Sequence, residues 1–359
     1  SSQPMMSVPN CSSPNMPESG NSARSPESGN SARTYRAELP DTAAVVGCGV
    51  IGAAWVARMR LRGVDVNVFD LSPNVSDVLE EVMTQAVVAW VGLGLSTDRL
   101  GSLTVCASIA EAVADAELIQ ECVPERLEIK HDTLQRIEAS ASTDALIASS
   151  TSGFKPTDLA AVMLHPARLV VAHPFNPVYL LPLVEVVGGE ATSLGTIERA
   201  MLMYGALGMK PLHVRVEIDA FIADRLLEAV WREAIWLVND GVATTEEIDD
   251  AIRYGFGLRW AQMGLFETYR TAGGAGGMRH FLGQFGPALE WPWTKLTDTP
   301  EWTDELVETI ASQSDEQSGD RTIPELLAER DRNLVAILKA LESTGAGAGQ
   351  TLSALRSLD

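Results

Sequence analysis

His173 stands in the proline-boxed stretch "HPFNP", and Glu185 follows at the end of the apolar run "VYLLPLVEV". The chain holds five histidines, so each one is worth a question. A histidine before proline can be no more than a turn or core residue. With a carboxylate on one ring nitrogen it becomes a general base that works near neutral pH. Upstream lies "ASSTSGF", residues 148–154, after an apolar strand pattern. Isolated Ser/Thr clusters are most often turn chemistry. Here the next strand pattern, "RLVVAH", ends on His173, so Ser152 and His173 can meet at one sheet edge, where open α/β sheets bind ligands. Glu185, in the strand segment after that, can accept from the other imidazole nitrogen.

A second constellation is "VVGCGVIG", with Gly47, Gly49 and Gly52 at GxGxxG spacing between a strand pattern and a helix pattern. Alone, three glycines are a weak signal. In this setting each has its own mechanical role. Gly47 makes the tight turn, Gly49 lets backbone approach a pyrophosphate, and Gly52 lets helix pack on strand. The loop Gly47, Cys48, Gly49, Val50, Ile51 and Gly52 then offers free N–H groups and the positive end of a helix dipole to phosphates. Asp70 ends the second strand pattern, eighteen residues past Gly52. A carboxylate there accepts from ribose hydroxyls and repels a 2′-phosphate, which favours NAD over NADP. Cys48 reads as a small filler rather than a redox group.

The elements that must position these residues are legible as alternating patterns. "TAAVVG" is a buried strand and Val50–Leu61 a helix; "VDVNVFD" is a strand with Val64, Val66 and Val68 on one face, before a helix over about 74–91. "LTVCA", "ELIQE", "ALIASS", "RLVVAH", "LVEVV" and "PLHVRV" complete the strands. The alternation predicts a Rossmann-type, doubly wound, mostly parallel α/β sheet. Past residue 218 strand patterns stop: "DAFIADRLLEAVWREAIWLVNDG" is a long amphipathic helix, "TTEEIDDAIRYG" opens with a capping pattern, and helical spacing fits parts of 259–289, 301–313 and 322–342. The expected division is 1–40, 41–217 and 218–359. The first segment is a disordered extension rich in Ser, Pro, Asn and Gly, in which "PESGNSAR" occurs twice. The second is the cofactor domain and the third a helical substrate and dimerisation domain.

Composition narrows the function classes. With 27 basic and 48 acidic residues the formal charge is −21, which argues against nucleic acid and anionic membrane surfaces as partners. Four cysteines show no CxxC spacing and read as reduced thiols of a cytoplasmic protein. The uncharged apolar stretch of residues 43–57 is interrupted by three glycines and too short to span a bilayer, and the first residues do not read as a secretory signal. No HExxH or clustered Cys/His spacing calls for a metal. "AGGAGG" at 272–277 lacks the Lys-Ser/Thr of a P-loop and reads as a flexible loop. His131, His165, His213 and His280 have no carboxylate at comparable spacing and read as structural or surface residues.

"VVGCGVIG", "STSGF", "HPFNP", "LVEV" and "FIADRL", in this order and spacing, resemble the 3-hydroxyacyl-CoA dehydrogenase superfamily over roughly residues 41–342. The tryptophan-rich helical half, with "GLRWAQMG" and "GGMRHFLGQFGPALEWPWTKL", is similar to its carnitine-oxidising branch. The resemblance implies NAD-dependent oxidation of a secondary alcohol, with L-carnitine, a small zwitterion, as substrate. Relatives acting on L-gulonate or a hydroxyacyl thioester, or a non-catalytic NAD-binding protein, are the other readings. By motif, His173 matches the catalytic base, Glu185 its carboxylate partner and Ser152 the serine that holds the reacting oxygen. Glu125 and Lys130, in "PERLEIK", match residues on the nicotinamide side of the cofactor; read from the residues alone they are a solvated helix start. A homodimer through the helical half is implied as well.

One departure bears on the substrate. Where the acyl-CoA enzymes carry GFxxNR, this chain has Ala220 for the glycine and Asp224 for the asparagine. An aspartate suits a cationic substrate better than an acyl-CoA. A trimethylammonium group is best held by a carboxylate and aromatic faces. Candidates are Asp224 with Trp231, Trp236, Trp260, Phe266 and Tyr269, and Phe154 and Tyr179 beside the catalytic motifs, although helical spacing also fits Trp231 and Trp236 as core. For the substrate carboxylate, Arg225, Arg259 and Arg279 stand equal.

Overall fold

The computed structural model describes residues 39–272, 275, 277–285, 294, 301, 303–309, 320 and 322–358. The repeat-bearing segment up to residue 38, and Gly273, Gly274 and Gly276 of the glycine loop, lie outside the described residues.

Strand β1 (Thr42–Val46) leads into helix α1 (Val50–Leu61), β2 (Asp65–Phe69) into α2 (Val75–Leu93), and β3 (Leu103–Val105) into α3 (Ile109–Val113). Strand β4 (Leu118–Glu121) and α4 (Leu127–Glu138) follow, then β5 (Leu146–Ser149), α5 (Pro156–Ala160), β6 (Leu169–Pro174), β7 (Leu183–Gly188), α6 (Leu194–Ala206) and β8 (Lys210–Val214). The eight strands form one sheet in the order β3-β2-β1-β4-β5-β6-β7-β8. Every pairing is parallel except β6 with β7. Strands β4, β5 and β6 are buried along their whole length, as expected where helices cover both faces of a parallel sheet. Two apolar clusters make the core. One, under α1 and α2, centres on Trp55, Trp90 and Tyr204; the other, under α3 to α5, on Ile119, Leu134, Ile147 and Phe221.

Because β1, β4, β5 and β6 run the same way, Gly47, the loop after Glu121, Ser152 and His173 all emerge at the carboxyl edge. The strand order reverses beside β1, between β2 and β4, which makes a crevice at that edge. Antiparallel β7 then returns alongside β6 and sets Glu185 directly opposite His173 in the register.

Beyond β8 the described elements are helical: α7 (Ala223–Asn239), α8 (Thr245–Ala251), α9 (Gly257–Ala272), α10 (Gly277–Phe285), α11 (Ile323–Thr344) and α12 (Gly349–Leu358). Thr244 and Thr322 each form a capping box, with Glu247 and Glu325. Gly255 and Gly264 break the helical path between α8 and α10. Helix α11 returns onto α2, and Tyr179 Oη donates to Asp331 Oδ2 at 2.6 Å. No described helix is long and apolar enough to cross a membrane.

Candidate active site

The glycine loop is built as a phosphate cradle. Gly47 has φ +92°, and its N–H donates to Phe69 O at 2.9 Å, which fastens the turn to β2. A Cβ on Gly47 would lie 2.7 Å from Cys122 O, and one on Gly52 1.9 Å from Gly47 O, so neither position admits a side chain. A Cβ on Gly49 would meet nothing within 4 Å. Crowding around two glycines and open space at the middle one is the shape a pyrophosphate at a helix N-terminus requires. Gly49 is the cap residue of α1, with Val50 and Ile51 opening the helix. Asp70 accepts from Cys48 N at 2.6 Å and Ser72 N at 2.7 Å, which fixes its carboxylate beside the loop. The residues present therefore fit a dinucleotide with a free ribose diol. The Cys48 thiol is buried and pushed well above the ordinary range, by burial first and by Cys122 and Asp70 next, so it carries no thiolate.

His173 is the centre of the second group. Its Nδ1 lies 3.0 Å from Glu185 Oε2, and its Nε2 lies 3.5 Å from Asp224 Oδ2. The imidazole is 7% exposed and Glu185 0%, while Asp224 reaches solvent with 22% of its side chain. The other oxygen of Glu185 accepts from Ile222 N at 2.9 Å and Ala223 N at 3.0 Å, capping α7. One carboxylate thus orients the histidine and ties down the helix that brings Asp224. Burial raises the Asp224 carboxyl above the ordinary aspartate value; His173 pulls it back, and Glu185 and Glu228 push it further up. Phe175 and Phe221 wall the ring, at centroid distances of 5.2 and 5.6 Å.

Ser152 is exposed in the loop after β5, on the strand next to that of His173. Glu125 holds that loop: its Oε1 accepts from Ser152 N at 3.1 Å, Gly153 N at 3.2 Å and Thr151 Oγ1. Lys130 is 1% exposed, with Nζ 3.0 Å from Glu121 Oε1 and 3.2 Å from Glu125 Oε2. The solvated helix start expected from the residues alone is therefore replaced, at Lys130, by a buried ion cluster. The charged partner, Glu121, sits on the strand itself.

Other expected residues are not brought to His173. Tyr179 is buried in the core against α11, because its hydroxyl finds Asp331 there, and its ring is unavailable as a cation wall. Trp231 is exposed on α7. Trp260 packs on Phe256, and Tyr269 stacks on Phe281, both within the helical half. Phe154 is half-buried and packs on the cluster under α3 to α5. Arg225 and Arg259 are exposed, and the side chain of Arg279 lies outside the described residues. The sequence reading missed Phe175, Phe221 and Glu121. The first two lie inside the motifs that carried His173 and Asp224. Glu121 is the one charge in the otherwise uncharged strand "LIQE".

Residues 42–218 match the 3-hydroxyacyl-CoA dehydrogenase NAD binding domain, and residues 221–319 match the C-terminal domain of the same family. An L-carnitine dehydrogenase of Mesorhizobium japonicum is 57% identical over 87% of this chain and 86% of its own length. One of Pseudomonas putida is 53% identical over 87% of this chain and 97% of its own. An L-carnitine dehydrogenase/betainyl-CoA thioesterase of Agrobacterium fabrum is 59% identical, and the chain spans 64% of that longer protein. Among solved structures, 5-formyl-3-hydroxy-2-methylpyridine 4-carboxylic acid 5-dehydrogenase, an NAD+-dependent dismutase, aligns with TM-score 0.74 and 28% identity. That alignment covers 85% of this chain and 99% of the other. This chain belongs to the 3-hydroxyacyl-CoA dehydrogenase family, with NAD as its cofactor.

Proposed function

We propose that this chain oxidises the 3-hydroxyl of L-carnitine to the ketone. The observation that carries the reading is the bracketing of His173 by two carboxylates, Glu185 on Nδ1 and Asp224 beside Nε2. A carboxylate accepts but does not donate, so Glu185 keeps the proton on Nδ1 and leaves the Nε2 lone pair for the alcohol. His173 takes the hydroxyl proton at Nε2, and Glu185 stabilises the imidazolium that forms. Ser152 donates a hydrogen bond to the same oxygen as its charge changes. When bound, NAD would supply the acceptor for the hydride of the carbinol carbon. Gly47 to Gly52 and Asp70 would hold its pyrophosphate and ribose, and Glu125 and Lys130 would border its nicotinamide end.

Asp224 supplies the selectivity. In carnitine the ammonium nitrogen is two bonds from the carbinol carbon, so a carboxylate that neutralises it must stand beside the histidine nitrogen that takes the proton. Asp224 stands there. Phe175 offers an aromatic face to the methyl groups. The relatives that act on L-carnitine by name support the same substrate.

The residues from 218 onward form the substrate and pairing half, and a second copy of the chain covers its exposed apolar face. The free thiols Cys48, Cys106 and Cys122 suit a reducing compartment, the cytoplasm.

The test follows NADH absorbance with L-carnitine, L-gulonate and a 3-hydroxyacyl-CoA in turn. Turnover on carnitine is expected, and removing the base in His173→Ala lowers kcat by about 10³-fold. NADH binding should survive that change. Activity on gulonate or the thioester with none on carnitine would overturn the substrate.

A further inference from the structure

Glu121 is fully buried at the end of β4, and Lys130, on α4, is buried with it. Lys130 Nζ donates to Glu121 Oε1 at 3.0 Å, to Oε2 at 3.3 Å and to Val123 O at 3.2 Å. Glu121 also accepts from Val123 N at 2.7 Å and from Ser149 Oγ, on β5, at 2.5 Å. The fourth partner of Lys130 is Glu125 Oε2, whose other oxygen takes the hydroxyl of Thr151 and the N–H groups of Ser152 and Gly153. A chain of alternating charges therefore runs from the sheet interior, Glu121 to Lys130 to Glu125, and ends on the loop that carries Ser152.

A dry ion pair is a poor way to stabilise a fold, since desolvation of both charges offsets most of their attraction. Burial pushes the Glu121 carboxyl above the usual carboxylate range against Lys130 and its hydrogen bonds. Desolvation pulls the Lys130 ammonium down, and Glu121 and Glu125 more than offset it. An apolar pair would fill this volume at lower cost. What the charges provide is direction: a buried ammonium with fixed acceptors gives the half-exposed Glu125 one place to stand.

We infer that Glu121 is a positioning residue of the reaction, which through Lys130 fixes the Glu125 clamp and so the loop that presents Ser152. The inference rests on the placing of Glu125 and Ser152 at the reacting end of the cofactor. It assigns Glu121 no contact with substrate or cofactor. Its side-chain hydrogen bonds go to Lys130, Ser149 and Val123, whereas the glycine loop and Asp70, at the adenosine end, are fastened by the Gly47–Phe69 and Cys48–Asp70 hydrogen bonds, neither of which involves Glu121.

That separation gives the test. In full-length Glu121→Gln, shape is kept and the charge is lost. NADH affinity, read by fluorescence, should fall about tenfold, equivalent to one charged hydrogen bond. With carnitine, kcat should fall about 10²-fold, as for a misplaced reacting group. Binding of ADP-ribose, read by calorimetry, should stay unchanged because it reports only the adenosine end. A parallel loss of NADH and ADP-ribose binding would make Glu121 a general structural residue and overturn the proposal. So would wild-type NADH binding and turnover. If Glu121→Gln fails to fold, Glu121→Asp, which keeps the charge and shortens the reach, must give the same split. Both binding readouts hold whatever alcohol the enzyme oxidises, so a wrong substrate and a wrong role for Glu121 are told apart.

Discussion

Asp224 carries a conflict that its position explains. It lies 3.5 Å from His173 Nε2, yet burial, Glu185 and Glu228 all act against its ionised form. Because its native carboxyl binds a proton more readily than an unfolded aspartate, the native state holds more protons in the window above the ordinary aspartate value of 3.8. Stability from this site is therefore present below that window and is lost as pH rises through the raised native value. Asp224→Asn should raise Tm at pH 7 by about 2 °C, and the gain should vanish once the pH falls below the window; calorimetry across pH checks the sign. The same change removes the counter-charge proposed for the substrate, so the carnitine KM should rise about tenfold, equivalent to about 1.4 kcal/mol. An unchanged KM would sink the counter-ion role.

Between β8 and α7 the chain makes an abrupt turn through Ala220 and Phe221, at φ +58° and +49°. Two successive left-handed residues aim the N–H groups of Ile222 and Ala223 at Glu185, and the fully buried Phe221 anchors the turn against His173. The left-handed conformation costs a residue with a Cβ about 1–2 kcal/mol, whereas glycine adopts it freely. Ala220→Gly should therefore stabilise the protein by about 0.5 kcal/mol once its extra unfolded-state entropy is counted. Urea unfolding measures this, and a destabilised variant would show that the turn is not strained. Strain held at a junction that sets both Glu185 and Asp224 belongs to the class of backbone features that pre-organise a site.

Across the molecule, the helical half leaves large apolar side chains in the open. Leu226, Leu227, Trp231, Leu258 and Phe266 are each more than half exposed in the single chain. Three of them, Leu226, Leu227 and Trp231, stand on α7, and a helix that leaves several apolar side chains open is a candidate association surface. A second copy is the occupant that the family resemblance implies. Leu227 and Trp231 lie one helical turn apart on α7, so Leu227→Asp with Trp231→Glu places two charges on the same face. Sedimentation should find two chains in the wild-type particle and one in the variant. Two chains in both would exclude α7 from the interface.

Much of this was legible without coordinates. All eight strands, and α1 to its end residues, follow from local apolar runs and glycine spacing, plainest in β4, β5 and β6, which are buried along their whole length. The placing of Gly47, Gly52 and Asp70 was legible for the same reason: a turn, a close approach and a strand end are local demands. The pairing of His173 with Glu185 could only be suspected, since it depends on β7 running antiparallel to β6. The approach of Asp224 to Nε2 depends on the turn at Ala220, which no periodicity encodes. Tyr179 went astray because adjacency along the chain says nothing about which face a ring takes. Glu121 was passed over because its meaning lies in Lys130, Ser149 and Glu125, brought together from three elements. The sequence by itself determined the elements and the chemistry available at their ends. Only the tertiary structure decided which side chains meet, because contacts between distant residues are set by packing and by where each buried charge finds its partner.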